Sequence, residues 1–333
     1  MTTGKRRWIG RIVGIAALVL LAAYVGIGFK IAHEYKTAFA RVDYDSFRSD
    51  KAFLYEETDT EKYPRTEEKV MSDGNELATF FYRQESPKGV IVVAPGHTDA
   101  NDIKIYEIQY FYDAGYDVVC FDYRGYYNST GEGLGSFSNA AHDLDAVLSC
   151  VEELPEYEDL PLYLFGHSMG AYACCAVLPG GHRIDKVVAA SGFDTPKEQL
   201  LCQTRMETGA LYPVIRPMAL CVIELLYGEE ADLSAIAGIN SCDLPILILS
   251  GTTDRYYDYD VSPLYAKSSE VTNPNCRFVL LDKEGHNDHY GYFLTDEAVK
   301  YRASRPEAPV DRALYMQHDP VMMQEIIDFY EEE

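Results

Sequence analysis

Positively charged residues are scarce in this sequence. Its 333 residues include 29 Lys and Arg against 53 Asp and Glu, so the formal net charge is −24 at pH 7. A surface this acidic repels phosphate backbones and anionic lipid head groups. Nucleic acid is therefore excluded as an expected partner, and the charge by itself indicates only solubility.

The sequence also lacks internal repeats, low-complexity segments and cysteines in the paired spacing of a metal site. Eight cysteines are present, and an even number in an exported protein is compatible with disulfides. Cys120, however, lies in a predicted strand, and Cys174 and Cys175 are neighbours on a predicted helix. We therefore expect buried free thiols. No metal or organic cofactor is expected.

One long apolar run lies near the N-terminus. Residues 12–29 carry no charge, and as a helix these 18 residues would span about 27 Å, enough for the hydrocarbon core of a bilayer. The basic residues before the run favour a cytoplasmic N-terminus. We expect residues 1–31 to be a retained single-pass membrane anchor, followed by a connector over 32–62 and an extracytoplasmic catalytic domain. A signal peptide cleaved near residues 21–23 is the alternative.

From residue 63 onwards, short apolar runs alternate with amphipathic stretches. Continuous Val, Ile and Leu runs indicate strands buried on both faces, and their alternation with helices predicts a mostly parallel α/β sheet in one domain over 63–333. The alternation breaks over 195–243, which is predicted to form several short helices above the carboxyl ends of the strands. The predicted strands are 75–83, 88–96, 116–125, 161–168, 185–193, 244–254 and 276–286, and the predicted helices are 101–115, 136–154, 169–179 and 319–333.

A glycine-flanked serine, Ser168, joins a predicted strand to a predicted helix in the segment GHSMG, residues 166–170. A strand-turn-helix junction this sharp strains the serine backbone, and only small residues fit two positions to either side. The hydroxyl then projects above the sheet, beside the N-terminus of the helix, where negative charge is stabilised. Ser168 is therefore the predicted nucleophile.

A serine nucleophile needs a base to take its proton and a carboxylate to orient that base. Asp254 follows one predicted strand and His286 follows the next, so the chain carries the order Ser, Asp, His. We expect His286 to be the base and Asp254 the carboxylate. The alternatives are His289 for the base and, for the carboxylate, Asp194, Asp258 and Asp260.

With these elements the sequence resembles the α/β-hydrolase superfamily, close to its serine-aminopeptidase-like and monoacylglycerol-lipase-like branch. The segments GHSMG, DYRGYYNSTG, LSGTTD and EGH carry this resemblance, which covers residues 63–330. It implies the α/β-hydrolase fold, with helices on both faces of the sheet and a helical lid insertion over 195–243. It also implies that Asp122, Arg124, Gly125 and Ser129 form a structural loop near the active site.

The resemblance also implies an oxyanion hole, for which a tetrahedral intermediate needs two backbone N–H donors. One is that of Met169, directly after the nucleophile. The other is that of His97, because Pro95-Gly96-His97 stands where relatives have a His-Gly-x segment; Thr98 is the alternative. Proline departs from the family pattern here and leaves the usual side-chain hydrogen bond of this loop in doubt.

The sequence thus predicts a membrane-anchored serine hydrolase that cleaves a small or lipid-like carboxylic ester through an acyl-enzyme. Peptidase, amidase and acyltransferase activities use the same residues and stay open, and a non-catalytic binding protein is the alternative of another class. Residues 287–318 are expected to wall one side of the active site. Lid residues expected to line an acyl groove, or otherwise to pack on the core, are Met206, Leu211, Tyr212, Ile215, Met218 and Leu220.

Overall fold

A single eight-stranded sheet forms the centre of the computed structural model, which describes residues 3–43, 53–257, 263–307 and 309–332. The strand order is β1-β2-β4-β3-β5-β6-β7-β8. Pairs β1–β2 and β2–β4 are antiparallel, and the five pairs from β4 to β8 are parallel. The strands are β1 Thr66–Ser72, β2 Asn75–Tyr82, β3 Val90–Ala94, β4 Asp117–Phe121, β5 Leu162–His167, β6 Lys186–Ala190, β7 Ile246–Gly251 and β8 Cys276–Leu281.

Helices cover both faces of this sheet, which is why its central strands are buried along their whole length. The described helices are α1 Thr3–Ala38, α2 Ile105–Asp113, α3 Ser138–Glu152, α4 Met169–Ala176, α5 Pro196–Thr208, α6 Tyr212–Tyr227, α7 Ala235–Asn240, α8 Asp296–Ala303, α9 Arg312–Tyr315 and α10 Pro320–Glu331. Helices α2 and α10 bury apolar side chains against one face, and α3, α4 and α7 against the other. The predicted α/β-hydrolase fold class is confirmed.

Three helices, α5 to α7, interrupt the sheet between β6 and β7, where the sequence predicted a lid insertion. Thr195 caps the first of them by accepting a hydrogen bond from the Glu198 N–H at 3.1 Å, and Pro196 occupies the first helical position. A proline there forgoes an N–H that would have no intrahelical partner. Gly209, with φ +52°, ends that helix and begins the turn into α6.

The N-terminal helix α1 is 36 residues long, and its described side chains from Arg11 to Ala23 are exposed. Its last turns, from Tyr24 onwards, pack on the lid helices α5 and α6. By length and composition alone, residues 11–38 and the segment 196–240 are apolar enough to cross a membrane. Residues 44–52 of the predicted connector lie outside the described residues.

The loop predicted to be architectural, after β4, is fixed by buried contacts. The Ser129 hydroxyl accepts a hydrogen bond from the Ala78 N–H at 2.9 Å, and Arg124 is paired with the buried Asp143 at 2.6 Å. A Cβ at Gly125, where φ is +70°, would lie 2.2 Å from the Cα of Gly133, so no larger residue fits there.

All eight cysteines lie in the described part of the chain and are free, as predicted. Their expected burial holds in part. Cys120, Cys174, Cys175 and Cys202 are buried, whereas Cys221 is exposed on α6.

Candidate active site

Ser168 occupies the sharp junction between β5 and α4 with φ 58° and ψ −119°, a strained conformation for a residue with a side chain. The two flanking glycines are required by close packing. A Cβ at Gly170 would lie 1.9 Å from the carbonyl oxygen of Ala94, and a Cβ at Gly166 would lie 2.3 Å from that of Gly170. The backbone N–H of Ser168 donates to the Ala190 carbonyl at 2.8 Å, which ties the turn to the neighbouring strand.

Asp254 follows β7 and is buried, and its partner is His289. The Nδ1–H of His289 donates to Oδ2 of Asp254 at 2.5 Å, while Oδ1 accepts from the Tyr256 N–H at 2.9 Å. Because Nδ1 carries the proton in this hydrogen bond, Nε2 is left as the basic nitrogen. His289 lines the same cavity as Ser168.

His286, the expected base, lies elsewhere, and the structure corrects that prediction. Its Nε2 is 2.7 Å from Oδ1 of Asp296 at the start of α8, and its Nδ1 is 3.1 Å from the Gly291 carbonyl oxygen. Both ring nitrogens are therefore engaged by residues outside the cavity. Asp296 also pairs with Lys283 at 2.6 Å, so this buried histidine is hydrogen-bonded to the carboxylate of a surface ion pair.

The turn after His286 explains why His289, and not His286, lines the cavity with Ser168. The Asp288 carboxylate accepts hydrogen bonds from the backbone N–H groups of Tyr290 at 3.0 Å and Gly291 at 2.5 Å, which closes a tight turn. Gly251 lies against this turn, and a Cβ there would be 2.4 Å from the Asp288 carbonyl oxygen. The turn directs His289 towards the end of β7, so of the segment after His286 it is His289 that lines the cavity.

His167, inside the serine junction, supports His289. Its Nε2–H donates to the His289 carbonyl oxygen at 2.9 Å, and the Ser191 hydroxyl donates to the same oxygen at 3.1 Å. Burial, aided by the charge of Lys104, lowers the pKa of His167 well below its ordinary value, so the ring stays neutral. His167 therefore has a packing role rather than that of a base.

Hydrogen bonds fix the loop that carries His97. The Tyr123 hydroxyl donates to the Pro95 carbonyl at 3.1 Å, and Asp99 accepts from the Gly96 N–H at 3.3 Å. The side chain of His97 reaches the last turn of α1, where its Nε2–H donates to the Ala38 carbonyl at 2.9 Å. This bond joins the loop to the end of α1.

Ser168, His289, His97 and Met169 all line one cavity of about 380 Å³. Met169 is the first residue of α4, and the first N–H groups of a helix have no intrahelical acceptor. The other lining residues described are Gly96, Thr98, Asp99, Phe137, His167, Phe193, Gln199, Gln203, Tyr256 and Tyr257.

The lid contributes Gln199 and Gln203 of α5 to this cavity, not the apolar residues expected from the sequence. Met206 and Leu211 are 53% and 65% exposed on the outside of the lid. Met218 instead faces α1, where a Cβ on Gly28 would lie 2.7 Å from its sulfur. The expected acyl groove along these residues is therefore wrong for the lid position seen here.

Of the alternative carboxylates, the structure describes Asp194, which has a different role. Asp194 accepts hydrogen bonds from the Ser234 hydroxyl at 2.6 Å and the Ile236 N–H at 3.0 Å, and pairs with Lys267 at 2.7 Å. It therefore anchors the start of α7 to the body. Asp258 and Asp260 lie outside the described residues.

Comparison with known proteins agrees with this architecture. Residues 85–220, which include the serine junction and about half of the lid, match the family described as serine aminopeptidase, S33. An esterase of Pyrococcus furiosus, Pf2001, superposes with a TM-score of 0.58 at 14% identity and covers 84% of this chain and 97% of its own.

Two further structures are similar to this chain. Est1E of Butyrivibrio proteoclasticus, solved with ferulic acid bound, has a TM-score of 0.51 at 14% identity and covers 79% of this chain and 97% of its own. A lipase in its open form has a TM-score of 0.51 at 16% identity and covers 80% of this chain and 98% of its own. At these identities the likeness shows the fold, and the chemistry must be argued from this chain's own residues.

Proposed function

We propose that this chain, an α/β-hydrolase by fold whose residues 85–220 match the serine aminopeptidase family, is a serine hydrolase that cleaves carboxylic esters. The observation that supports this most directly is the pairing of His289 with Asp254 in a cavity that also contains the strained Ser168. These three residues are the proposed catalytic triad, with His289 in place of His286.

In the proposed acylation step, the Ser168 Oγ attacks the carbonyl carbon of the ester while its proton passes to Nε2 of His289. Asp254 holds the ring through Nδ1 and stabilises the imidazolium that forms. The backbone N–H groups of His97 and Met169 are proposed to bind the oxyanion. When the tetrahedral intermediate collapses, the C–O bond breaks and the alcohol leaves with the proton from Nε2.

Deacylation repeats these events with water as the nucleophile. His289 takes a proton from the water, hydroxide adds to the acyl carbon, and the second tetrahedral intermediate releases the carboxylic acid. Ser168 recovers its proton from Nε2. No step needs a group beyond the chain, substrate and water.

Ester cleavage is preferred to aminopeptidase activity because of the charges around the cavity. An aminopeptidase has to bind the α-ammonium group of its substrate, which needs an unpaired carboxylate. Among the described lining residues, the carboxylate belongs to Asp99. It pairs with the buried Lys104 at 3.1 Å and accepts a hydrogen bond from the Gly96 N–H, so it is not unpaired.

The membrane location belongs to the same proposal. Helix α1 carries exposed apolar side chains over the stretch that the sequence indicated, with Arg11 before it and Lys30 after it. We propose that α1 is a single-pass anchor and that the catalytic domain lies on the extracytoplasmic side.

A fluorophosphonate probe tests the triad, because it reacts only with an activated serine. We expect the wild-type chain to be labelled and to hydrolyse p-nitrophenyl acetate, and Ser168→Ala to do neither. His289→Gln should lower kcat by about 10³ or more, since the serine loses its base.

His286→Gln is the matched control, since it changes a histidine three residues away that hydrogen-bonds outside the cavity. It should retain labelling and kcat within a few-fold of wild type. Labelling that persists in Ser168→Ala, or a loss of kcat in His286→Gln with full activity in His289→Gln, would contradict the proposed triad.

A further inference from the structure

The uncharged tip of the lid lies alongside the proposed membrane helix. Residues 208–215, between Glu207 and Arg216, carry no charged side chain and form the turn from α5 into α6. Leu211 and Val214 in this tip are 65% and 63% exposed. Exposed apolar side chains grouped in this way mark a surface that is covered by another apolar phase.

The register between α1 and α6 fixes the depth of this tip. The Tyr24 hydroxyl donates to the Val214 carbonyl at 3.2 Å, and Gly28 lies against Met218, so the two helices run side by side in the same direction. Tyr24 comes five residues before Phe29, where the apolar run of α1 ends, which places Val214 about 7.5 Å inside that end. Interfacial apolar groups are buried to about 5–10 Å in a bilayer.

Charged residues of α1 and α5 mark the level of the membrane surface, and Arg216 of α6, between Val214 and Met218, can extend its long side chain to that level. Lys30, the first charge after the apolar run, lies near Glu207, the last charge before the lid tip. Leu211 and Val214 are on the membrane side of this level. The other side of Lys30 leads to the catalytic body, where the Ala38 carbonyl meets His97.

We infer that the lid tip, residues 208–215, is inserted in the bilayer interface next to α1, so that the partner of this surface is the acyl-chain region of a phospholipid membrane. This inference rests on the proposed anchoring of α1. It deepens the proposed function, because Gln203 of the same lid separates the gap beside α1 from the catalytic cavity. A substrate dissolved in the bilayer therefore meets the lid before it meets bulk water.

Tryptophan quenching in the full-length chain tests the inference. Trp8 is the one tryptophan in the sequence, so a Trp8→Phe background gives single-tryptophan chains. Leu211→Trp reports on the lid tip and Val19→Trp reports on α1. Glu158→Trp is the control, since Glu158 is exposed just before β5, at the amino end of the strand whose carboxyl end carries Ser168.

Each chain is reconstituted in phosphatidylcholine vesicles with or without brominated acyl chains. We expect about a twofold loss of emission for Leu211→Trp and Val19→Trp in brominated vesicles, as for residues at acyl-chain depth, and no loss for Glu158→Trp. Quenching of Leu211→Trp no stronger than that of Glu158→Trp overturns the inference. The Val19→Trp result then says separately whether α1 is inserted.

An activity measurement distinguishes this inference from the proposed function. Replacing both exposed tip residues, Leu211→Glu with Val214→Glu, should slow hydrolysis of an ester dissolved in the vesicles by about tenfold and leave p-nitrophenyl acetate hydrolysis unchanged. Leu225→Glu is the matched control: it lies on the same helix, is 78% exposed, and sits beyond the level of Met218. Equal loss in the control and the tip variant contradicts the inference, whereas inactivity of the wild type on p-nitrophenyl acetate contradicts the proposed function alone.

Discussion

At the scale of single residues, the serine junction depends on glycine, because there is no room for a Cβ atom where α4 meets β3. The helix α4 approaches β3 so closely at Gly170 that only a hydrogen fits between its Cα and the Ala94 carbonyl oxygen. Gly170→Ala should therefore lower the free energy of unfolding by about 3 kcal/mol, since the obstacle is backbone that cannot rotate away. Urea denaturation with fluorescence detection measures this change.

Gly180→Ala provides the control for that variant. A Cβ at Gly180 meets only the side-chain ends of Asp145 and His182, at 3.0 Å or more, and these can move. We expect a change below about 1 kcal/mol. Equal denaturation midpoints for the two variants would mean that α4 can shift away from β3.

Asp122 gives the protein a pH dependence of stability. It is fully buried, and burial raises its pKa from 3.8 to about 7, although backbone N–H groups of Asn101 and Asn128 donate to it at 3.0 and 3.2 Å. Between about pH 4 and 7 the folded state binds this proton and the unfolded state does not. The free energy of unfolding should therefore fall as the pH rises through this range, by up to about 4 kcal/mol.

Asp122→Asn isolates this effect, because the amide cannot titrate. The free energy of unfolding of the wild type minus that of Asp122→Asn, measured from pH 4 to 7, should decrease as the pH rises. A difference that stays constant would show that the donated hydrogen bonds keep the carboxylate ionised throughout.

The identity of the proposed base marks the limit of sequence reasoning at this scale. Ser168 and Asp254 could be proposed from the sequence because each follows an apolar strand, which is a local signal. His286 and His289 share one loop, and the choice between them depends on the turn closed by Asp288 and on its contact with Gly251. The Asp288-His289-Tyr290-Gly291 segment carries the turn-forming side chain that could have indicated this, but its contact with β7 is non-local.

At the scale of elements, the strands that continuous apolar runs predicted are present in the structure. Strand β1 is also present, but the sequence did not predict it. Three of its seven residues are charged, and only Val70 and Ser72 are buried. The Asp73-Gly74 pair, with φ 46° and 80°, is the turn of a β-hairpin and was the available signal. The helical insertion was predicted from the break in alternation, but which side of it faces the cavity depends on packing against α1.

The end of α1 supports the proposed oxyanion loop. Phe39 is 2% exposed, and its ring lies 4.7 Å from that of Phe137 and 5.6 Å from that of His97, between centroids. Phe39→Ala should destabilise the fold by about 3 kcal/mol through the cavity it leaves. It should also lower kcat for p-nitrophenyl acetate by about tenfold with a smaller change in KM, because the loop would lose its position.

Phe29→Ala, ten residues earlier and within α1, is the control, since Phe29 is 75% exposed. Assayed in detergent, it should keep both the stability and the kcat of the wild type. If Phe39→Ala loses stability but keeps kcat, α1 contributes to folding without positioning the loop.

At the scale of the whole molecule, the acidic body and the proposed apolar anchor should act in opposite directions at a membrane. The net charge of −24 repels an anionic surface, while the proposed insertion of α1 and the lid tip would hold the body against it. In vesicles containing phosphatidylglycerol, hydrolysis of a bilayer-dissolved ester should be slower than in phosphatidylcholine vesicles at 0.01 M salt. The two rates should converge towards 0.15 M salt, as the Debye length falls from about 30 Å to about 8 Å.

Hydrolysis of p-nitrophenyl acetate by the protein in the same vesicles should not depend on the lipid. Equal rates on the bilayer-dissolved ester in both lipids at 0.01 M salt would mean that the charged face of the body points away from the membrane.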